Sequence, residues 1–323
     1  MRLATLANGT PDGELVVVSA DGKRFLAAGE RWPNLLAAFT DWQKAEPALR
    51  ATVDEVEQGA GGKITAQTAF RAPMPRAWQW LDGSVFSTHA RLMEVAFNTD
   101  PIENQRPLMY QGQSDRFYGP TEDVPFGSEA DGIDFEGEFG VIVDHVPMGC
   151  TPAEAMERIR LLVQINDWSL RAYAVPEMKT GFGFILAKPA CSVAPFAVTP
   201  DELHDGWRDG RVCLDLQIDW NGKRFGSANG REMDVGFHEL VAQAATTRDL
   251  VAGTIIGSGT VANAGYAEVG SSCISERRAI EIIADGKPTT GFMSFGDHIR
   301  MAGVDAAGGK PFGAIDQQVV CRP

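Results

Sequence analysis

Two carboxylates stand two residues apart in Asp134-Phe135-Glu136-Gly137-Glu138, and the chain continues Phe139-Gly140-Val141-Ile142-Val143, an apolar run that reads as a β-strand. Side chains alternate faces along a strand, so Glu136 and Glu138 point the same way. Two like charges on one inward face repel each other and resist desolvation unless a cation sits between them. A divalent metal ion would satisfy both carboxylates. A solvated edge strand with two glutamates on its outer face would avoid the problem instead.

Other acidic groups lie among bulky apolar neighbours. Asp167 sits in Gln164-Ile165-Asn166-Asp167-Trp168-Ser169-Leu170-Arg171, and Asp82 in Trp80-Leu81-Asp82-Gly83-Ser84-Val85-Phe86, seven residues before His89. An ionised carboxylate in such surroundings needs a partner. Asp82, Glu136, Glu138 and Asp167 together would make a hard, all-oxygen site suited to Mg²⁺, Ca²⁺ or Mn²⁺, because these segments hold no cysteine and one histidine to favour zinc. His89 reads either as a packed or surface imidazole or as a general base. Lys188, in Phe184-Ile185-Leu186-Ala187-Lys188-Pro189, reads either as a snorkelling ammonium or as an electrophile over a developing oxyanion. Gly257-Ser258-Gly259-Thr260 lacks the downstream Gly-Lys-Ser/Thr of a phosphate loop and reads as a strand-ending turn.

The elements that must position these groups are mostly strands. Residues 1–30 alternate short apolar runs with Asp-Gly turns, as small antiparallel strands do, and residues 34–58 space Leu35, Leu36, Phe39, Trp42, Ala45, Leu49 and Val53 helically. The glycine cluster at 59–62 and the Arg71-Ala72-Pro73-Met74-Pro75 segment mark a boundary, giving a small N-terminal domain over 1–72 and a larger domain over 73–323. In the larger part, Thr151-Pro152-Ala153-Glu154 is a capping box opening a helix whose face carries Ala155, Met156, Ile159, Leu162 and Val163. A second helix is expected over 236–245. Cys213 to Trp220 reads as a strand before an Asn221-Gly222 hairpin turn, and Ala279 to Ile283 as another strand. No βαβ alternation and no internal repeat is visible, so the architecture is expected to be a β-dominated mixed α+β roll or sandwich.

Composition narrows the function classes. The 323 residues are 44% hydrophobic, ordinary for a globular core, and no segment approaches the ~20 apolar residues of a membrane span. A net charge of −14 repels phosphate backbones and anionic lipid surfaces, so nucleic acid and membrane are not expected partners. Five scattered cysteines without a CxxC pair argue against a disulfide framework and a zinc cluster, and the opening residues lack a signal-peptide layout, so a cytoplasmic location is expected.

Taken in order, the motifs resemble the fumarylacetoacetate hydrolase (fumarylacetoacetase) family over residues 76–323. Asp82 with His89, Phe135-Glu136-Gly137-Glu138, Asn166-Asp167-Trp168-Ser169 with Arg171, Lys188 in a Lys-Pro-Ala segment, and Gly257-Ser258-Gly259-Thr260 match in type, order and approximate spacing. The leading segment is similar in shape to the small β-rich N-terminal domain of bacterial members. The resemblance implies a mixed β-roll, usually dimeric, with a divalent cation (Mg²⁺, Ca²⁺ or Mn²⁺) held by Asp82, Glu136, Glu138 and Asp167. It makes His89 the base, supported by Glu276 or, as a weaker candidate, Glu268. It also places Tyr110, Thr260 and Ser84 at the substrate.

The implied reaction is hydrolysis of a carbon–carbon bond in fumarylacetoacetate or a related acylpyruvate or β-diketo acid. His89 takes a proton from water, the hydroxide attacks a carbonyl, and Lys188, with Thr260 or a backbone amide, stabilises the tetrahedral oxyanion. The departing carbanion leaves as an enolate near Arg171. Around the substrate the chain departs from the best-known eukaryotic members. Gln113 stands for an arginine, Ala174 and Met178 for a glutamine and a tyrosine, Cys191 for a glycine and Ser84 for a tyrosine, which weakens recognition of a distal carboxylate. The same metal site could instead serve 2-hydroxypentadienoate hydration, isomerisation or oxaloacetate decarboxylation, and a non-catalytic binder would keep the fold alone. The span 90–120 between the base and the glutamate pair is the expected seat of substrate selectivity, and whether it closes as a lid is left open.

Overall fold

The computed structural model describes residues 1–101 and 106–322. The 90–120 span is therefore described apart from residues 102–105, which lie outside the described residues. The fold is a mixed α+β architecture built on one large sheet, with a five-stranded second sheet packed against it. From one edge the large sheet runs Gly62–Lys63, Arg24–Ala27, Glu14–Val18, Arg2–Leu6, Ala197–Val198, Ile159–Asn166, Gly137–Val143, Thr254–Gly257, Trp80–Ser84 and Leu108–Gly112. The N-terminal strands thus extend the sheet that carries the site, joined through the antiparallel pairing of Arg2 with Val198.

Both faces of this sheet are buried. On one side Leu161, Val163, Ile165 and Ile142 pack with Trp42 and Leu49 of the Trp42–Glu57 helix. On the other side Leu162, Val141 and Phe139 join Leu216, Ile218, Met301 and Val319 from the second sheet. Alternation of neighbouring residues between two apolar cores is what a strand covered on both faces requires.

That double burial explains one failed expectation. The Thr151 capping box is present, with Thr151 Oγ1 accepting from Glu154 N at 3.3 Å and Glu154 Oε2 accepting from Thr151 N at 2.8 Å. The helix it opens covers Pro152–Met156 alone, and Ile159, Leu162 and Val163 belong to the Ile159–Asn166 strand. A continuous apolar run looks alike in a buried strand and a buried helix, and here the cap sets a start without setting a length. Asp167 therefore follows a strand.

The Ala279–Ile283 strand is likewise corrected. These residues lie in the Ile274–Asp285 helix, stopped by Gly286 in the left-handed region (φ 78°). Its first-turn amides are captured by a distant carboxylate, Asp134, which accepts from Ile274 N at 2.7 Å and Ser275 N at 3.0 Å. The helix also packs on a neighbouring helix, Ser87–Phe97. Tertiary partners override the β-branched propensity of Ile280, Ile282 and Ile283.

Other expectations match: the N-terminal strands, the Phe237–Ala244 helix, and the Asp215–Trp220 and Lys223–Asn229 hairpin turning at Asn221 (φ 49°) and Gly222 (φ 73°). The 34–58 segment is two helices, Leu35–Phe39 and Trp42–Glu57. Among the described residues no helix is long and apolar enough to cross a membrane.

Candidate active site

Four adjacent strands deliver the acidic cluster. Asp82 pairs with Gly257 on one side and Tyr110 on the other, Gly257 lies beside Gly140, and Glu138 faces Ile165 on the strand that ends one residue before Asp167. Asp82, Glu138 and Asp167 each offer a carboxylate oxygen within 4.8 Å of the others. All three are buried, Glu138 and Asp167 completely. Gly257 makes room for them. A Cβ there would collide with Asp82 Oδ1 and stand 3.0 Å from Glu138 Oε2.

Glu136 lies just ahead of the Gly137–Val143 strand, in an isolated bridge to Cys273, and its environment differs from that of Glu138. Arg171 Nη2 donates to Glu136 Oε1 at 2.6 Å, and Lys188 Nζ donates to Glu136 Oε2 at 2.6 Å and to Asp167 Oδ2 at 2.5 Å. Arg171 Nε also donates to Asp134 Oδ2 at 2.8 Å. Asp167 further accepts from the Tyr110 hydroxyl at 2.7 Å and from the Cys191 thiol at 3.0 Å. Gly259 N donates to Asp82 Oδ1 at 3.1 Å. Among the described residues, neither oxygen of Glu138 receives a hydrogen bond, although both are buried.

Charge states follow this partition. Burial alone would push the Glu136 carboxyl up, but Lys188 and Arg171 outweigh it and hold the group well below the usual carboxylate range. Burial pushes Asp82 and Glu138 well up, helped for Asp82 by the Asp167 charge and for Glu138 by Asp82 and Asp167. Asp167 is also raised, by burial and by Glu136, against the pull of Lys188. Burial would lower the Lys188 ammonium, and Asp167 and Glu136 reverse that and raise it, so the lysine is a fixed cation. Asp82, Glu138 and Asp167 thus form a carboxyl pocket in which Lys188 bonds Asp167 and, among the described residues, no donor reaches either oxygen of Glu138. Buried oxygens left without donors fit a hard divalent cation, which takes oxygen ligands at about 2.0–2.6 Å.

Beside this pocket stands a histidine–carboxylate pair. His89, on the Ser87–Phe97 helix, has Nδ1 2.8 Å from Glu276 Oε1, and Glu276 Oε2 accepts from Ser272 N at 2.9 Å. Glu276 therefore holds one imidazole nitrogen and leaves the other to act. Glu268 lies on the separate Tyr266–Val269 turn of helix. Thr260 Oγ1 is buried with no hydrogen-bond partner among the described residues, open to a ligand oxygen, whereas Ser84 is exposed at its strand end.

Models of two families match the chain. The "Fumarylacetoacetate (FAA) hydrolase C-terminal" family covers residues 79–320, and "Fumarylacetoacetase N-terminal domain 2" covers residues 1–76. The chain belongs to the fumarylacetoacetate hydrolase family. A Burkholderia ambifaria member provisionally named a hydrolase is 26% identical over 209 residues, 63% of this chain and 64% of its own length. A 2,4-didehydro-3-deoxy-L-rhamnonate hydrolase from a Sphingomonas strain is 26% identical over 163 residues, 50% of this chain and 54% of the other. This chain's matches thus span about half to two thirds of the length of these curated relatives.

Solved structures show the fumarylacetoacetate hydrolase fold over the whole chain. A maleylpyruvate hydrolase from Sphingobium sp. SYK-6, crystallised with manganese(II) and pyruvate, aligns with a TM-score of 0.68 at 18% identity, covering 100% of both chains. A fumarylacetoacetate hydrolase from psychrophilic Exiguobacterium antarcticum aligns at 0.67 and 18%, also covering 100% of both.

Sequence reasoning missed Asp134, and it placed Cys191 near the substrate without its contact to Asp167. Asp134 ties the Glu276 helix and Arg171 to the strand segment bearing Glu136. Its signal was present, since it continues the i, i+2, i+4 series with Glu136 and Glu138. Cys191 donates to Asp167 from 24 residues away, and nothing local announces that contact.

Proposed function

We propose that this site hydrolyses a carbon–carbon bond in fumarylacetoacetate or a related acylpyruvate or β-diketo acid. The observation that carries the reading is the His89–Glu276 pair at 2.8 Å, standing beside a buried carboxylate group whose Glu138 oxygens lack donors. Asp82, Glu138 and Asp167, with Glu136, are the residues that would hold a divalent cation: Mg²⁺, Ca²⁺ or Mn²⁺. Once bound, the ion supplies Lewis-acid polarisation and orientation of a chelating keto acid. The manganese(II) and pyruvate held by the Sphingobium maleylpyruvate hydrolase support both the ion and a pyruvate-bearing substrate.

His89, its Nδ1 fixed by Glu276, takes a proton from water at Nε2, and the hydroxide attacks the substrate's carbonyl carbon. Lys188 has three N–H donors, two committed to Glu136 and Asp167, so the third is available to the tetrahedral oxyanion together with Thr260 Oγ1. Arg171 acts through Glu136, keeping that carboxylate ionised and in place. Tyr110 holds Asp167 in place through its hydroxyl. The departing carbon takes up the proton that His89 accepted from water, which restores the neutral imidazole. We place the enzyme in the cytoplasm as a homodimer, in a catabolic route for aromatic compounds.

The test follows the ultraviolet absorbance of enolised diketones, fumarylacetoacetate and a short acylpyruvate panel, with chelator-stripped protein before and after Mg²⁺ or Mn²⁺. Metal-restored loss of absorbance with both acid fragments recovered is expected. No loss with any diketone, despite bound metal, would overturn the reading in favour of hydration, isomerisation or oxaloacetate decarboxylation.

A further inference from the structure

Cys273 occupies an unusual place. It caps the Ile274–Asp285 helix through Glu276 N, which donates to its Sγ at 3.3 Å, and sulfur is a weak acceptor where serine or threonine would serve better. The thiol is fully buried, and through the Cys273 bridge to Glu136 it abuts the catalytic groups. Its Sγ, a ring nitrogen of His89 and a carboxylate oxygen of Glu276 all lie within 4.8 Å of one another. No member of this triplet belongs to the all-oxygen group of Asp82, Glu138 and Asp167.

The donor types decide which ion would fit. Imidazole nitrogen, thiolate sulfur and carboxylate oxygen make a set that zinc and its borderline neighbours take readily and that magnesium and calcium do not. On a tetrahedral zinc, bonds of about 2.0–2.1 Å to nitrogen and oxygen and about 2.3 Å to sulfur set neighbouring donors roughly 3.3–3.6 Å apart. The 2.8 Å His89–Glu276 pair would open by about half an ångström, and the sulfur, within 4.8 Å of both, would settle at about 3.6 Å, both within side-chain adjustment. Cys273 and Glu276 are buried while the His89 side chain is 12% exposed, so the histidine side offers an entry and a fourth position for water.

We propose that His89, Cys273 and Glu276 form a second metal site, of zinc type, in which a borderline divalent ion takes over His89 Nδ1 and the Glu276 carboxylate that orients it. Binding displaces the thiol proton to solvent and leaves sulfur as thiolate. With Nδ1 on the ion, the neutral imidazole carries its one proton on Nε2, which can then take none from water, and water activation stops. The binding half of this inference stands on the triplet alone. The inhibitory half rests on the hydrolase reading above.

The experiment saturates the full-length protein with Mg²⁺ and titrates it with Co²⁺, reading the near-ultraviolet thiolate-to-cobalt charge-transfer band. The band is expected in the parent protein and in Cys191→Ser, whose sulfur lies by the all-oxygen group, and is expected to vanish in Cys273→Ser. Serine is the stronger helix cap, so this variant should fold, and far-ultraviolet circular dichroism checks that it does. No band in the parent, an unchanged band in Cys273→Ser, or loss in Cys191→Ser alone would each overturn the site. In parallel, Zn²⁺ should inhibit diketone hydrolysis in the parent at concentrations at least tenfold below those needed for Cys273→Ser; equal sensitivity would refute the inhibitory role. If no diketone is turned over at all, the hydrolase reading fails while the cobalt spectrum still decides the metal site.

Discussion

Replacing Glu138 by glutamine should make the protein more stable without a metal ion and less stable with one. In chelator at pH 8 the parent buries Glu138 with neither oxygen receiving a hydrogen bond, beside Asp82 and Asp167. Leaving a buried polar group unsatisfied costs roughly 1–3 kcal/mol, more when it is charged. The glutamine amide keeps the shape and supplies N–H donors to the neighbouring carboxylates, so most of that cost is recovered. Unfolding entropy of about 2.1 cal/mol/K per residue over 323 residues gives about 0.7 kcal/mol/K, so Tm should rise by about 1.5–4 °C. With Mn²⁺ at a thousand times its Kd, the parent gains about 4.1 kcal/mol, or about 6 °C, while the variant, missing a ligand, gains far less. The order of the two proteins should therefore invert between chelator and Mn²⁺. Differential scanning calorimetry of both proteins in both buffers reads this directly. A variant less stable than the parent in chelator, or equal Mn²⁺ increments in the two, would refute the assignment of Glu138 to a cation.

Three further outcomes follow from the same geometry. His89→Ala and Glu276→Gln should each lower kcat, the former by about 10²–10⁴-fold, with Mn²⁺ affinity by calorimetric titration unchanged; retained turnover in His89→Ala would remove the histidine from the mechanism. Tyr110→Phe deletes one donor to Asp167, and should cost about 0.5–1.5 kcal/mol in urea unfolding and weaken Mn²⁺ binding; an unaltered Kd would show that the hydroxyl does not position the ligand. Because burial raises Asp82 and Glu138 above their unfolded pKa values, the folded state binds more protons, and stability in chelator falls as pH rises above the ordinary carboxylate range. The stability gap between Glu138→Gln and the parent should accordingly shrink as pH is lowered from 8 towards 4, and a constant gap in urea titrations would contradict the raised carboxyl.

Much of the candidate site was legible because its residue types are rare in apolar surroundings. Glu136, Glu138, Asp82 and Asp167 announce themselves as charges that bulky neighbours would otherwise exclude, and His89, Lys188 and the Gly257–Thr260 turn complete a pattern that belongs to one family. Local signals with a short physical range were also reliable: the Asn221-Gly222 turn, the Thr151 capping box and the helical spacing of residues 34–58 all depend on contacts within a few positions.

What required the tertiary structure was every property set by residues far apart in sequence. Ile159–Asn166 is a strand because two separate cores cover its faces, and Ala279–Ile283 is helical because Asp134, 140 positions from Ile274, captures the first-turn amides. Glu136 and Glu138 look equivalent along the chain, yet Arg171 and Lys188 reach only the first, leaving the second without a hydrogen-bond donor. The sequence by itself determined which chemical groups this protein has and the family it belongs to. Only the fold decided which carboxylates are already paired, since pairing depends on distances and burial created when strands distant in the chain become neighbours.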